Sequence, residues 1–382
     1  MLMAGPKDSP TEGDAAGWAT VTTAPADTDW RIAVATLAHR FFNLLQDKES
    51  ADLSGAPYQE GTIMPRTVGH FYAYLQNLGI ENRNARQVGL ILGAMERAGL
   101  LLPNGWDSSQ PLFGQVYVSN RGATSQASGN LWMSEVLGSE IIIPSYLMVT
   151  VQITGYAADP EADQQSGTGL ILDRSHVLTN RHVVEGMKRD LQVHANGPTK
   201  ADFGTRKCRI YGHGEVDVAI IEVELADDDP GYQTLTGMTF RDPTWADETY
   251  VFGYPHVPMT AESVITVQRG EVVNPSTPTM PNRQPVFLYS ATARPGNSGG
   301  PIVAGDGRVI GLVVEDTLLT GSAGAPDDGG LNRTDDLDRR VTDLEERTRT
   351  SAFYRGIPSS EVVRAVKGLG LPSDLIRVET WK

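Results

Sequence analysis

Gly296-Asn297-Ser298-Gly299-Gly300-Pro301 lies between two apolar runs, PVFLY (285–289) and VIGLVV (309–314), each with the length and composition of a strand. A serine held in a glycine-rich turn between strands is placed for nucleophilic attack. The glycines permit positive φ and leave backbone amides uncovered. Two of these amides, those of Gly296 and Ser298, can converge on one point and form an oxyanion hole. A serine hydroxyl is inert without a base, so the turn directs attention upstream.

Residues 169–184 read GLILDRSHVLTNRHVV: two short apolar strands feed a Thr-Asn-Arg-His turn that ends in His182. A lone histidine in such a turn is more often structural than catalytic. Residues 215–223 read EVDVAIIEV, a β-branched strand interrupted once by Asp217. A carboxylate among such neighbours is costly to bury unless something hydrogen-bonds it; on an edge strand it would simply face solvent. Taken together, His182, Asp217 and Ser298 supply a base, a carboxylate to orient that base, and a nucleophile.

HVLTNRHVV, VDVAII and PGNSGGP resemble the three catalytic motifs of chymotrypsin-fold (trypsin-like) serine peptidases, especially the bacterial HtrA/Deg-type branch. The resemblance covers roughly residues 141–370, and further landmarks fall in order. SGTGLIL (166–172) is similar to the strand before the catalytic histidine. VFGYP (251–255) is similar to the start of the second barrel, RGEVV (269–273) to a later strand, and FYRGIPSSEVVRAV (353–366) to the last strand and closing helix. The resemblance implies a mainly β, double antiparallel β-barrel of six strands each, with His182 and Asp217 on the first barrel and Ser298 on the second. It implies an oxyanion hole from the Gly296 and Ser298 amides, and a substrate-binding wall that includes Thr292, Val313, Val314 and Glu315. It implies no cofactor and no metal. Thr292 is neutral, which favours a small or medium apolar P1 residue over a basic one, although Glu315 and Asp316 end the wall strand. Val183 stands where many secreted relatives carry a disulfide cysteine. Asn297 stands where animal trypsins carry the aspartate that pairs with a freed N-terminus, so activation is expected by another route. HtrA/Deg-type proteins usually carry a PDZ domain; residues 299–382 are needed to finish the barrel, so none is expected.

With 382 residues, the chain has room for two domains or more. Apolar residues at 40% and charged ones at 21% describe a soluble protein with ample core, and 40 glycines with 23 prolines favour turn-rich β architecture. Cys208 is the only cysteine, which excludes an intramolecular disulfide and fits a reducing compartment. The acidic, h-region-free N-terminus is not a secretory signal, and no run approaches the length of a membrane span. A cytoplasmic, bacterial protein is expected. The net charge of −15 argues against general nucleic-acid binding or docking to anionic lipid. His39, His70, His176, His194, His213 and His256 are scattered rather than grouped as metal ligands.

Residues 1–28 read as a disordered tail and 29–118 as a helical, winged-helix-like domain. WRIAVATLAHRFFNLLQ (30–46) places Ile32, Leu37, Phe41 and Leu44 or Leu45 on one helical face; helices over 67–79 and 85–101 and a hairpin turning at Pro103-Asn104-Gly105 follow. Residues 30–110 hold seven Lys/Arg and seven Asp/Glu, without the basic face that grips duplex DNA. A regulatory or protein-targeting adaptor is therefore preferred. The alternative is a DNA-binding transcriptional regulator with a sensing or self-cleaving protease-like half. Residues 119–140 read as a polar linker and 141–382 as the peptidase domain. Its 317–350 insertion carries Leu337, Val341 and Leu344 on one face of an expected helix, either merely solvated or partner-binding. The function expected is that of a serine endopeptidase acting on protein or peptide substrates.

Overall fold

The computed structural model describes residues 26–80, 85–120, 129–159, 161–195, 207–257, 260, 263–314 and 353–378. Most of the 1–28 tail, Glu315, Asp316 and the 317–350 insertion lie outside these residues. The N-terminal module is helical, as expected: α1 (Ala26–Phe41), α2 (Lys48–Ser54), α3 (Val68–Asn77) and α4 (Ala85–Arg97), then a hairpin of β1 (Leu101–Trp106) and β2 (Gln115–Ser119).

Three sequence expectations for this module need correction. The short α2 was not anticipated, because KESADLS is too polar to show an apolar stripe; its ends carry the signal instead. Asp47 accepts from the Ser50 amide at 2.7 Å, and Gly55 closes the helix at φ 68°. The buried face of α1 is Val34, Ala35, Ala38 and Phe41, whereas Leu45, past the helix end, is 79% exposed. The hairpin turns over 107–114, and Pro103-Asn104-Gly105 lies inside β1, where the register with β2 shifts between Pro103 and Trp106. Proline and a positive-φ glycine mark an edge-strand bulge there as readily as a turn.

The 119–140 segment is also more than a linker. From Leu131 it forms a 3-10 turn (Leu131–Met133), α5 (Ser134–Leu137) and α6 (Ser139–Val149). Leu131, Met133, Leu137, Ile141, Ile142 and Tyr146 are all buried. One side packs on α1: the Thr36 hydroxyl lies 3.8 Å from the Met133 sulfur, the His39 and Trp132 rings are 5.1 Å apart, and Arg31 pairs with Glu140. The other side packs on the β domain, with the Tyr146 hydroxyl donating to the Gly307 carbonyl at 2.8 Å. Within α6, Ile141, Ile142, Tyr146 and Val149 are buried, and most of its other residues are half-buried.

Two six-stranded antiparallel β systems follow, the mainly β architecture expected of a chymotrypsin fold; the second closes into a barrel, whereas the first, expected as a barrel, is a six-stranded sheet. The first comprises β3 (Thr150–Tyr156), β4 (Gln164–Ile171), β5 (His176–Thr179), β6 (Arg189–Ala195), β7 (Cys208–Gly212) and β8 (Ala219–Val223), with a short α7 (Arg181–Glu185) after β5. Its strand order is β6-β3-β4-β5-β8-β7, and its edge strands β6 and β7 do not pair among the described residues. The second comprises β9 (Glu248–Gly253), β10 (Thr266–Pro278), β11 (Pro285–Tyr289), β12 (Pro301–Ala304), β13 (Val309–Val314) and β14 (Tyr354–Pro358) and closes in the order β10-β11-β14-β13-β12-β9, with α8 (Ser359–Gly368) after it. Closure depends on β10. Its first half, Thr266–Glu271, pairs with β9; beyond Val272 it pairs with β11 through two register shifts. Such bulges bend a strand enough to carry it round a barrel corner. Among the described residues, no helix is long and apolar enough to cross a membrane.

Candidate active site

The Ser298 turn consists of two consecutive reverse turns. The Asn297 amide donates to the Arg294 carbonyl at 2.9 Å, and the Gly300 amide to the Asn297 carbonyl at 2.9 Å. In each, the third residue is a glycine at positive φ, Gly296 at 98° and Gly299 at 81°. That is the type II pattern, in which the third position demands glycine. Space enforces the same choice: a Cβ on Gly296 would lie 2.4 Å from the Tyr254 carbonyl oxygen, and one on Gly299 2.2 Å from the Thr179 hydroxyl. Ser298 thus sits second in its turn, with its residue only 2% exposed. The Asn297 and Gly299 amides are spent on the Arg294 and Val313 carbonyls.

His182 lies in α7 rather than in an open turn. Its backbone amide donates to Asp217 Oδ1 at 2.9 Å, and its Nδ1 lies 2.6 Å from Asp217 Oδ2. A carboxylate can only accept, so Nδ1 carries the proton and Nε2 is the acceptor. Burial alone pushes the Asp217 carboxyl up. The hydrogen bond and charge of the His182 ring, its amide and the Arg181 guanidinium outweigh that and hold it below the ordinary aspartate range.

Asp217 stands at the corner of a tight turn before β8, with the Val218 amide bonded to the Val216 carbonyl at 2.8 Å and the His213 amide to the Val218 carbonyl at 2.9 Å. Two neighbours of His182 hold that turn. Asn180 Nδ2 donates to the Asp217 carbonyl at 2.9 Å, and Arg181 Nη1 donates to the His213 and Gly214 carbonyls at 2.7 and 2.8 Å. Sequence reading passed over both, although each lies inside the TNRHVV motif.

The two β systems meet at β4. The Thr168 amide donates to the Ser298 carbonyl at 2.9 Å, and a Cβ on the adjacent Gly167 would lie 2.5 Å from Val183, the residue after His182. The Ser298 turn and the His182 helix therefore flank the same stretch of strand. Of the expected wall residues, Thr292 is exposed, Val314 is half-buried and Val313 is 1% exposed within the second barrel's core beside Phe287 and Tyr289. Val313 contributes its backbone to the turn through the Gly299 amide.

Residues 167–312 match the sequence profile of the family described as the trypsin-like peptidase domain. The chain is similar to a mitochondrial Do-like protease of Arabidopsis thaliana (Do-like 12), 31% identical over 158 residues, covering 40% of this chain and 30% of that protein. It is also similar to the chloroplastic protease Do-like 1 of the same plant, 29% identical, covering 45% of this chain and 37% of the relative. The matched part of this chain thus spans less than two fifths of either relative. Among solved structures, the active form of the Rv3671c protease from M. tuberculosis superposes with a TM-score of 0.41 at 20% identity, over 62% of this chain and 87% of that one. Residues 167–312 thus carry the likeness to the trypsin-like peptidase domain, and Do-like proteases are among the proteins that the chain is similar to.

Proposed function

We propose that this protein is a serine endopeptidase in which Ser298 is the nucleophile, His182 the general base and Asp217 the carboxylate that orients it. The observation that carries this reading is the paired contact of His182 with Asp217, through both its amide and Nδ1. That pairing leaves Nε2 as the ring's proton acceptor. In the first step Ser298 Oγ attacks the peptide carbonyl carbon and His182 Nε2 takes the hydroxyl proton. The resulting oxyanion is held by the Gly296 and Ser298 amides. As the C–N bond breaks, His182 returns the proton to the leaving amine and the acyl-enzyme remains. Water then repeats the sequence, with its proton passing through His182 and the acid released from Ser298. We also assign the N-terminal module to partner recognition or regulation, because its neutral charge balance supports contact with protein rather than with phosphate backbones.

A fluorophosphonate probe tests the central assignment. The wild-type protein should label at Ser298, and both labelling and peptide turnover should vanish in Ser298→Ala without loss of fold. Labelling that persists in that variant would mean a different nucleophile.

A further inference from the structure

We infer that Thr168 is a positioning residue for the nucleophile turn, acting through its hydroxyl on the peptide that follows Gly296. The inference rests on the reading of Ser298 as the nucleophile. Thr168 lies in β4, in the first β system, is 0% exposed, and is flanked by Gly167 and Gly169. Every hydrogen-bonding group it owns is committed. The Thr168 amide donates to the Ser298 carbonyl at 2.9 Å. Its hydroxyl donates to the Gly296 carbonyl at 2.7 Å and accepts from the Tyr254 amide, just past β9, at 2.9 Å. Its own carbonyl accepts from the Thr179 hydroxyl at 2.7 Å. A single hydroxyl has one proton to give, so its direction is fixed: the amide of Tyr254 occupies a lone pair, and the proton goes to Gly296.

These bonds complete a pattern along the turn. Four successive carbonyls are each held by a donor: Pro295 by the His256 amide at 3.0 Å, Gly296 by the Thr168 hydroxyl, Asn297 by the Gly300 amide, and Ser298 by the Thr168 amide. A planar trans peptide points its N–H opposite to its carbonyl, so each held carbonyl fixes the amide of the residue after it. The Thr168 side chain supplies the only one of the four that a substitution can remove without altering the backbone. The Gly296–Asn297 peptide joins the two amides of the expected hole, that of Gly296 before it and that of Ser298 after it; with a glycine at its start, a loose peptide there lets the two amides lose their common aim. An amide aimed at charge that appears only in the transition state lowers kcat when lost and leaves KM nearly unchanged.

The test compares Thr168→Val, which keeps the shape and removes the hydroxyl, with Thr168→Ser, which keeps the hydroxyl. Readouts are kcat and KM on a peptide substrate, the rate of fluorophosphonate labelling at Ser298, and the thermal midpoint. In labelling, Ser298 Oγ bonds to phosphorus, fluoride leaves and the proton passes to His182. Thr168→Val should lose about 10- to 100-fold in kcat and labelling rate with KM within about 2-fold. Thr168→Ser should stay within about 3-fold of wild type. Equal rates for the Val and Ser variants in a labelling-competent protein overturn the inference alone. Absence of labelling in the wild type instead overturns the peptidase reading on which it rests. Should Thr168→Val not fold, Thr168→Ala takes its place in the comparison. If neither folds while Thr168→Ser does, Thr168 is a folding residue and the inference falls.

Discussion

The Pro295 carbonyl accepts a hydrogen bond from the His256 amide at 3.0 Å, and through it the loop after β9 determines which way the Gly296 N–H faces. The Pro295–Gly296 bond is trans, so carbonyl and amide point to opposite sides. Proline at the second position of the turn and glycine at φ 98° at the third favour this orientation over the flipped one. The amide of the expected oxyanion hole is therefore preset by local backbone chemistry before any substrate arrives. This also bears on Asn297: with the turn held by carbonyl anchors, ordering by an N-terminal ammonium is not expected.

Gly296→Ala is the direct test of that arrangement. An alanine must adopt a positive φ that costs about 1–3 kcal/mol for a non-glycine residue, and its Cβ meets the Tyr254 carbonyl at 2.4 Å. The expected outcome is a fall in kcat of about 10²–10³-fold with a smaller change in KM. Steady-state kinetics on one peptide checks it; a fall in KM-limited binding with kcat intact would place the amide outside the reaction.

His182→Ala, Ser298→Ala and the double variant should be almost equally inactive, because residues that act as a unit are not additive. Asp217→Asn should lose about 10⁴-fold in kcat, since the amide no longer enforces the Nδ1–H tautomer. Independent, multiplying losses in the double variant would separate His182 from the nucleophile's chemistry.

Asp217 also makes a pH-dependent contribution to stability. Its folded pKa is depressed below the ordinary 3.8, so the folded state favours the charged carboxylate more than the unfolded state does. That stabilisation is fully present above the unfolded value and is lost as pH falls through the folded one. The thermal midpoint of wild type minus that of Asp217→Asn should be constant above about pH 5 and shrink below about pH 4. Calorimetry across pH 2–7 reads this; a gap that grows toward acid would reverse the sign.

What was legible in the sequence divides along the range of the interactions. The turn 296–301 and the His182 segment are legible because their chemistry dictates several adjacent residues: glycines where φ is positive, a proline that fixes the next strand, small apolar strands on each side. Asp217 is legible only with its partners, since a carboxylate in EVDVAIIEV reads equally well as an edge charge. The Thr168 contact spans 128 residues, and nothing in SGTGLIL distinguishes a buried hydroxyl that bridges two β systems from an ordinary strand threonine. The α2 helix and the hairpin turn were missed because short polar helices and edge-strand bulges carry the same Gly, Pro and Asp signals as loops.

A P1 preference is expected from the described residues of the proposed substrate wall. Thr292 and Val314 are uncharged and Arg294 is an exposed cation two residues from Thr292. A small or medium apolar P1 residue is expected over lysine or arginine by about 10-fold in kcat/KM. Thr292→Asp, at an exposed position that tolerates the change, should shift the profile toward basic P1 residues. A peptide library read by mass spectrometry measures both; a strong basic preference in the wild type that survives neutralising Glu315 and Asp316 would refute the assignment of this wall.

The N-terminal module should not detach cleanly from the peptidase. Residues 131–149 are buried on two sides, against α1 through Met133 and Trp132 and against the β domain through Tyr146 and the Gly307 carbonyl. A chain starting at residue 129 keeps α5 and α6 but strips the cover from Met133, a residue 0% exposed in the intact protein. It also leaves Glu140 without Arg31. Exposing a side chain the size of methionine costs about 1.5–3 kcal/mol, and the partly exposed ion pair adds little. The truncated chain should therefore melt several degrees lower and bind a hydrophobic dye. Its kcat on a short peptide, measured well below its midpoint, should change little, because the hydrogen bonds described for His182, Asp217 and Ser298 run within the β domain. An unchanged midpoint would restore the reading of 119–140 as a free linker. A collapse in kcat at unchanged stability would instead make the module part of the catalytic apparatus.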